Sequence, residues 1–158
     1  MKPSVYIETT IVSYLTAWPS QDVVRLAQEI LTRHWWANAR DHFELWTSEL
    51  VLQEAARGDP KAAADRLAAL AGLPLVSINA EVSALAQHMA LALKLPKRAG
   101  ADAVHLAAAV IHRNSFLLTW NCRHLANAVL ADKIQKVCES HGHKSPRIVT
   151  PQQLMGST

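Results

Sequence analysis

Short apolar runs alternate with helical segments along the whole chain, and that alternation limits the possible folds more than any other feature. Residues 4–7, 43–47, 75–78, 116–119 and 147–149 read as strands, each four or five residues long at most. Between them lie segments with helix signals. Thr9 and Thr10 are placed to cap a helix beyond Glu8, and Ser20 to open one running to about residue 40, with Val23, Ala27, Ile30 and Leu31 on one face. Ser48 starts another, which Gly58 stops. Asp59-Pro60 puts an acid at the N-cap and proline at the first helical position, opening a helix that ends at Gly72. Asn79 caps a helix with Val82, Leu85, Ala86, Met89 and Leu93 at helical spacing. Residues 101–112 form an alanine-rich helix, helical segments continue to about residue 141, and Thr150-Pro151 begins a last short turn. Strands alternating with helices pair in parallel through right-handed crossovers. The expected fold is α/β: a three-layer α/β/α sandwich around a mainly parallel sheet of four to five strands, in one domain spanning 1–158.

A chain of 158 residues, half of them hydrophobic, can bury one sizeable core. Only five glycines accompany many alanines, as a helix-rich protein requires. No apolar run reaches the roughly 18 residues of a membrane span. Met1-Lys2-Pro3 leads straight into a strand without a signal-peptide pattern, so a cytoplasmic location with no membrane association is expected. The two cysteines, Cys122 and Cys138, lack zinc-type spacing and read as inert, buried, reduced thiols. The net charge of +3 and pI near 9.1 are compatible with a polyanionic partner.

Four segments carry the chemistry. Val5-Tyr6-Ile7-Glu8-Thr9-Thr10 and Phe116-Leu117-Leu118-Thr119-Trp120-Asn121 place an acid and an amide just past the ends of strands. Thr47-Ser48-Glu49-Leu50-Val51-Leu52-Gln53-Glu54 and Gly100-Ala101-Asp102-Ala103-Val104-His105 place acids on helices. In open parallel sheets, sites form at the carboxyl ends of strands, at the point where strand order reverses. Glu8, Glu54 and Asp102 can meet there. Carboxylates ~4 Å apart repel by roughly 4 kcal/mol per pair at an effective dielectric near 20, and a divalent cation is the usual relief.

At these residues the chain resembles the PIN-domain family, and within it the VapC-like toxin ribonucleases of toxin–antitoxin pairs. The resemblance runs over nearly the whole chain. Tyr6-Ile7-Glu8-Thr9-Thr10 stands where the family has a hydrophobic pair, Asp, and Ser or Thr. Glu54 matches the glutamate in the helix after the second strand. Asp102 matches the Asp opening an alanine-rich helix, and Thr119-Trp120-Asn121 matches a Thr-x-Asp after the fourth. Two positions depart from the family. Glu8 keeps the charge on a longer arm, and Asn121 keeps an oxygen but loses a charge. Three formal negatives instead of four should weaken binding of a second cation.

The resemblance implies a metal-dependent ribonuclease leaving 5′-phosphate and 3′-hydroxyl ends. Glu8, Glu54, Asp102 and Asn121 would hold Mg2+ or Mn2+, directly or through water, with Thr9 and Thr119 hydrogen-bonding the carboxylates or the nucleophile. It also implies an RNA substrate, a cognate antitoxin protein and a homodimer. A second reading is a PIN-fold RNA-binding module with a weakened catalytic site, supported by Asn121. A phosphatase using an aspartyl nucleophile would need an Asp with a second acid two residues on, which Glu8-Thr9-Thr10 lacks. Each residue also has a plainer role: Asp102 as a helix cap, Glu54 as an exposed helix residue, Asn121 as a turn residue, His105 as a hydrogen-bonded core histidine. Arg123 and His124 can meet phosphate or face solvent. Lys97 and Arg98 read as a basic surface loop. Trp35 and Trp36 read as a partner surface, and Trp120 as packing beneath the site.

Overall fold

All five expected strands pair in parallel in one sheet, in the order β3-β2-β1-β4-β5. They are β1 (Ser4–Ile7), β2 (Glu44–Ser48), β3 (Leu75–Val76), β4 (Phe116–Leu118) and β5 (Arg147–Val149). The computed structural model describes residues 1–156. Residues 157 and 158, which the single-domain reading includes, lie outside the described ones. The central strand β1 buries Val5, Tyr6 and Ile7 completely. Both faces of the sheet are covered, so this strand reads as an unbroken apolar run.

Helices α1 (Thr9–Thr16), α2 (Val23–Asn38), α3 (Glu49–Ala55) and α4 (Pro60–Leu70) pack among themselves. Helices α5 (Ala80–Ala92), α6 (Gly100–Ile111) and α7 (Ala128–Ser140) form a second group. Strand order explains the division. The chain steps from β1 to β2 to β3 in one direction, then crosses back to β4 and β5 in the other, and right-handed crossovers put the two sets of helices on opposite faces. The result is the expected three-layer α/β/α sandwich. Alanines 103, 107, 108 and 109 of α6 are buried, which allows the close packing of α6 against α5.

Several local expectations are corrected. Glu8, rather than Thr9 or Thr10, caps α1: its side chain accepts the Thr10 amide at 2.9 Å. The strand ends at Ile7 and the helix starts two residues on, so only the side chain of Glu8 can fold back in time. Asp22, rather than Ser20, caps α2 by accepting the Arg25 amide, while Ser20 Oγ accepts the amide of Asp22. That helix ends at Asn38 and a 3-10 turn follows over Arg40–His42. Its inner face is Glu29, Thr32 and Trp35, whereas Val23, Ala27 and Ile30 face out and Leu31 is only partly buried. Glu29 tolerates burial because it accepts the Ser20 amide at 2.9 Å and pairs with Arg25 at 3.5 Å. Trp35 is fully buried, stacked on Phe43, and Trp36 is covered by Arg40, so neither presents the partner surface read from the sequence. Cys138 is buried as expected, but Cys122 is exposed. The third strand is two residues long, not four.

Candidate active site

The parallel order reverses between β1 and β4, and the candidate residues gather past the carboxyl ends of these two strands. Ile7 is in register with Leu118, and the Glu8 amide donates to the Leu118 carbonyl at 3.2 Å. Glu8 and Thr119 therefore lie side by side as the two strands end.

Glu8 is almost wholly buried. Its Oε2 accepts the Thr10 amide, the Thr10 hydroxyl and the Thr119 hydroxyl, the last at 3.0 Å. Thr10 Oγ1 in turn accepts the Trp120 amide and Thr119 Oγ1 accepts the Asn121 amide, each at 2.9 Å. Two threonines thus tie the turn after β4 to the carboxylate after β1. Burial pushes the Glu8 carboxyl above its usual range, and the His105 charge and the Thr10 and Thr119 hydrogen bonds oppose that only in part. Among the described residues, no basic side chain forms an ion pair with Glu8.

Glu54 reaches the same region from α3. Its Oε1 accepts the Thr9 hydroxyl and meets His105 Nε2, both at 2.6 Å. A carboxylate only accepts, so the ring's Nε2 carries the proton between them. Behind the ring, Nδ1 lies 2.7 Å from the Tyr6 hydroxyl, which lies 2.8 Å from Ser48 Oγ. This chain suits either state of the imidazole: Tyr6 donates to Nδ1 when the ring is neutral and accepts from it when charged. For Glu54, burial acts upward, but the His105 hydrogen bond and charge, the Thr9 hydroxyl and Arg57 together hold the carboxyl below its usual range. Tyr6 is pushed well above the ordinary phenol range, by burial first; the charges of Glu8 and Glu54 add to the rise and the Ser48 hydrogen bond opposes it.

Asp102 stands in the first turn of α6, one turn before His105 on the same face. It does not cap the helix: the N-cap is Ala99 and has no side-chain bond. Instead Asp102 Oδ2 pairs with His124 Nδ1 at 3.1 Å. Asn121 Oδ1 accepts the His124 amide at 3.0 Å, so its turn role is real and it also fixes the residue that holds Asp102. The six predicted site residues, Glu8, Thr9, Glu54, Asp102, Thr119 and Asn121, belong to one cluster, joined by hydrogen bonds and by α6. Trp120 packs beneath it as expected, donating to Thr32 Oγ1 and stacking on Tyr14. Arg123, Lys97 and Arg98 are exposed. The sequence reading gave no site role to Thr10, Tyr6 or Ser48, nor the Asp102–His124 pairing. For Tyr6 there was a signal: a tyrosine within a buried strand needs a partner for its hydroxyl.

The donor set suits a hard divalent cation, since all the candidate ligands offer oxygen. Each carboxylate also gives the protein only one oxygen: Glu8 Oε1, Glu54 Oε2 and Asp102 Oδ1 make no hydrogen bond among the described residues. As the side chains stand, no three Asp, Glu, His or Cys residues among the described ones converge on a common ion position.

No protein-family model matches the chain, and no curated protein sequence does. Solved structures do. The Sarcin-Ricin loop cleaving toxin VapC20 of Mycobacterium tuberculosis superposes with a TM-score of 0.58 at 16% identity, covering 76% of this chain and 92% of its own. A chain of VapBC2 from Rickettsia felis, bound to a DNA fragment from their promoter, superposes with a TM-score of 0.52 at 12% identity, covering 93% of this chain and 98% of its own. With its all-parallel five-stranded sheet between two layers of helices, this chain shares its fold with VapC20 and with a chain of VapBC2.

Proposed function

We propose that this protein is a metal-dependent endoribonuclease, the toxin of a toxin–antitoxin pair. One observation carries the reading: in a fold shared with VapC20, three carboxylates and an amide from four separate elements gather at the strand-order reversal, each carboxylate with one oxygen unclaimed. The similar structures, a toxin that cleaves the Sarcin-Ricin loop and a VapBC complex, extend the proposal to an RNA substrate and an antitoxin partner. A homodimer, a single domain over the whole chain and a cytoplasmic location complete it. Among the described residues, no helix is long and apolar enough to cross a membrane.

Glu8, Glu54, Asp102 and Asn121 would hold Mg2+ or Mn2+, which supplies Lewis-acid polarisation of a phosphate and acidification of water. The chain's own residues have separate tasks. Thr10 and Thr119 keep Glu8 aimed past the strand ends. His105 and Thr9 hold one oxygen of Glu54 and leave the other unclaimed. His124, fixed by Asn121, does the same for Asp102. These contacts pre-set the side chains before substrate arrives, as a preorganised site requires.

The RNA-binding module remains a second reading because of Asn121, whose side-chain oxygen is engaged by the His124 amide and adds no charge. Cleavage of a mixed-sequence single-stranded RNA by purified protein separates the two. We expect cutting with Mg2+ or Mn2+, none with chelator, and none in Asp102→Asn. Antitoxin-free, folded protein that retains RNA but cuts with neither metal would overturn the nuclease and leave the binding module.

A further inference from the structure

A concavity lies at the other end of the sheet, where β4 and β5 begin. It encloses about 480 Å3 between the end of α6 and the turn leading into β5. Three cationic side chains, Arg113, Lys144 and Arg147, line it together with His143, and no acid does. None of the three cations forms a salt bridge among the described residues. The Arg147 guanidinium lies over the Phe116 ring, 5.8 Å from its centre, so the wall below the charges is aromatic.

Two further features are unusual. Asn114, also in the lining, is 6% exposed and its Oδ1 has no hydrogen-bond partner, an arrangement that buried amides rarely keep. Arg113 adopts φ 56°, a left-handed conformation at the end of α6 that favours glycine. The backbone closes that helix there by the bond from the Asn114 amide to the Ala109 carbonyl. An arginine thus occupies a glycine position at the mouth of a basic cavity.

We propose that this cavity binds a phosphate-bearing ligand of nucleotide size. Phosphate answers a group of cations that has no carboxylate to neutralise it. The volume falls in the range of small-ligand sites. Phe116 and the Arg147 side chain over it give the lining an apolar part beside the charges, and Asn114 adds an amide to it. The ligand is either a free nucleotide or one nucleotide of an RNA strand. The proposal does not depend on the nuclease reading, because the acids lie at the opposite ends of the strands.

The test is titration of the full chain with inorganic phosphate, with AMP and with a six-nucleotide single-stranded RNA, by calorimetry and amide NMR shifts. Chelator is present throughout, so that no cation recruits ligand to the acidic end. We expect saturable one-site binding with shifts confined to residues 110–116 and 142–147. AMP should bind more tightly than phosphate. In Arg113→Gly/Arg147→Ala the affinity should fall at least about ten-fold. Glycine relieves the left-handed backbone, so loss of binding there would not come from unfolding, and Lys144→Ala on the exposed turn gives an independent second variant. RNA binding at least ten-fold tighter than AMP, with AMP competing, assigns the site to an RNA strand; comparable affinities assign it to a free nucleotide. No saturable binding of any of the three, or unchanged affinity in both variants, would overturn the proposal.

Discussion

Glu8 and Glu54 lie near the same strand ends yet are shifted in opposite directions, and their stability effects should differ in sign. The folded-state pKa of Glu8 is raised, above all by burial. Its contribution is therefore favourable while the group is protonated and is lost as pH rises through that raised value. Above the ordinary carboxylate range the unfolded chain ionises more readily than the folded protein, so this group opposes folding there. Glu8→Gln should be more stable than the parent at pH 7, with the gap closing below about pH 4. Glu54 is held below its usual range despite burial, with His105 as the main opposing influence. Its stabilisation is present at neutral pH and is lost as pH falls through the folded value. Glu54→Gln should be less stable at pH 7, and that gap too should close on acidification. Urea unfolding of both variants from pH 3 to 8 checks the pair; gaps of the same sign at pH 7 would refute the assignment. Both variants should lose cleavage. In His105→Ala the Tyr6 hydroxyl and Glu54 lose a buried partner, at a cost of about 1–3 kcal/mol in the same assay. Asn121→Asp keeps the acceptor for the His124 amide and restores a fourth negative charge. Mn2+ affinity measured by calorimetry should rise about ten-fold. An unchanged affinity would remove Asn121 from the ligand set.

Among the elements, caps were well signalled where a short polar side chain precedes an apolar stripe. Asp59, Asn79 and Ser48 each accept the amide three residues on, at the positions the sequence indicated. Glu8 escaped because glutamate is not a favoured cap and Thr9-Thr10 is. Helix α2 escaped for a different reason. Its apolar residues suggested one face, but the buried face is Glu29, Thr32 and Trp35, with Thr32 meeting Trp120 and Trp35 stacked on Phe43. Thr32 is chosen for its hydroxyl, which receives the Trp120 indole at 2.6 Å. Helix α6 shows the opposite case, where composition foretold packing. Its buried alanines leave no space for larger groups, so Ala107→Leu should cost about 1–3 kcal/mol of unfolding free energy in urea titration. Because Asp102 and His105 ride on the same helix, cleavage should fall in that variant as well. Full stability would show that the α5–α6 contact is looser than the buried alanines indicate.

For the molecule as a whole, strand order is the decisive property. The alternation of strands and helices was legible because apolar periodicity and capping are local, readable within a few residues of chain. So were the parallel pairing, the three layers and the placement of the four segments bearing the candidate acids and amide, past strand ends or on the helices beside them. The partners of those acids were not legible. Glu8 meets Thr119 across 111 positions, Tyr6 meets His105 across 99 and His105 meets Glu54 across 51. No local pattern encodes such contacts, because they arise only when β1 and β4 lie in register and α6 returns over the same edge as α3. The sequence by itself determined the elements and the residue types available for chemistry. Tertiary structure alone decided which acid is buried against Thr119, which meets His105 and which meets His124, since each of these partners is supplied from far along the chain.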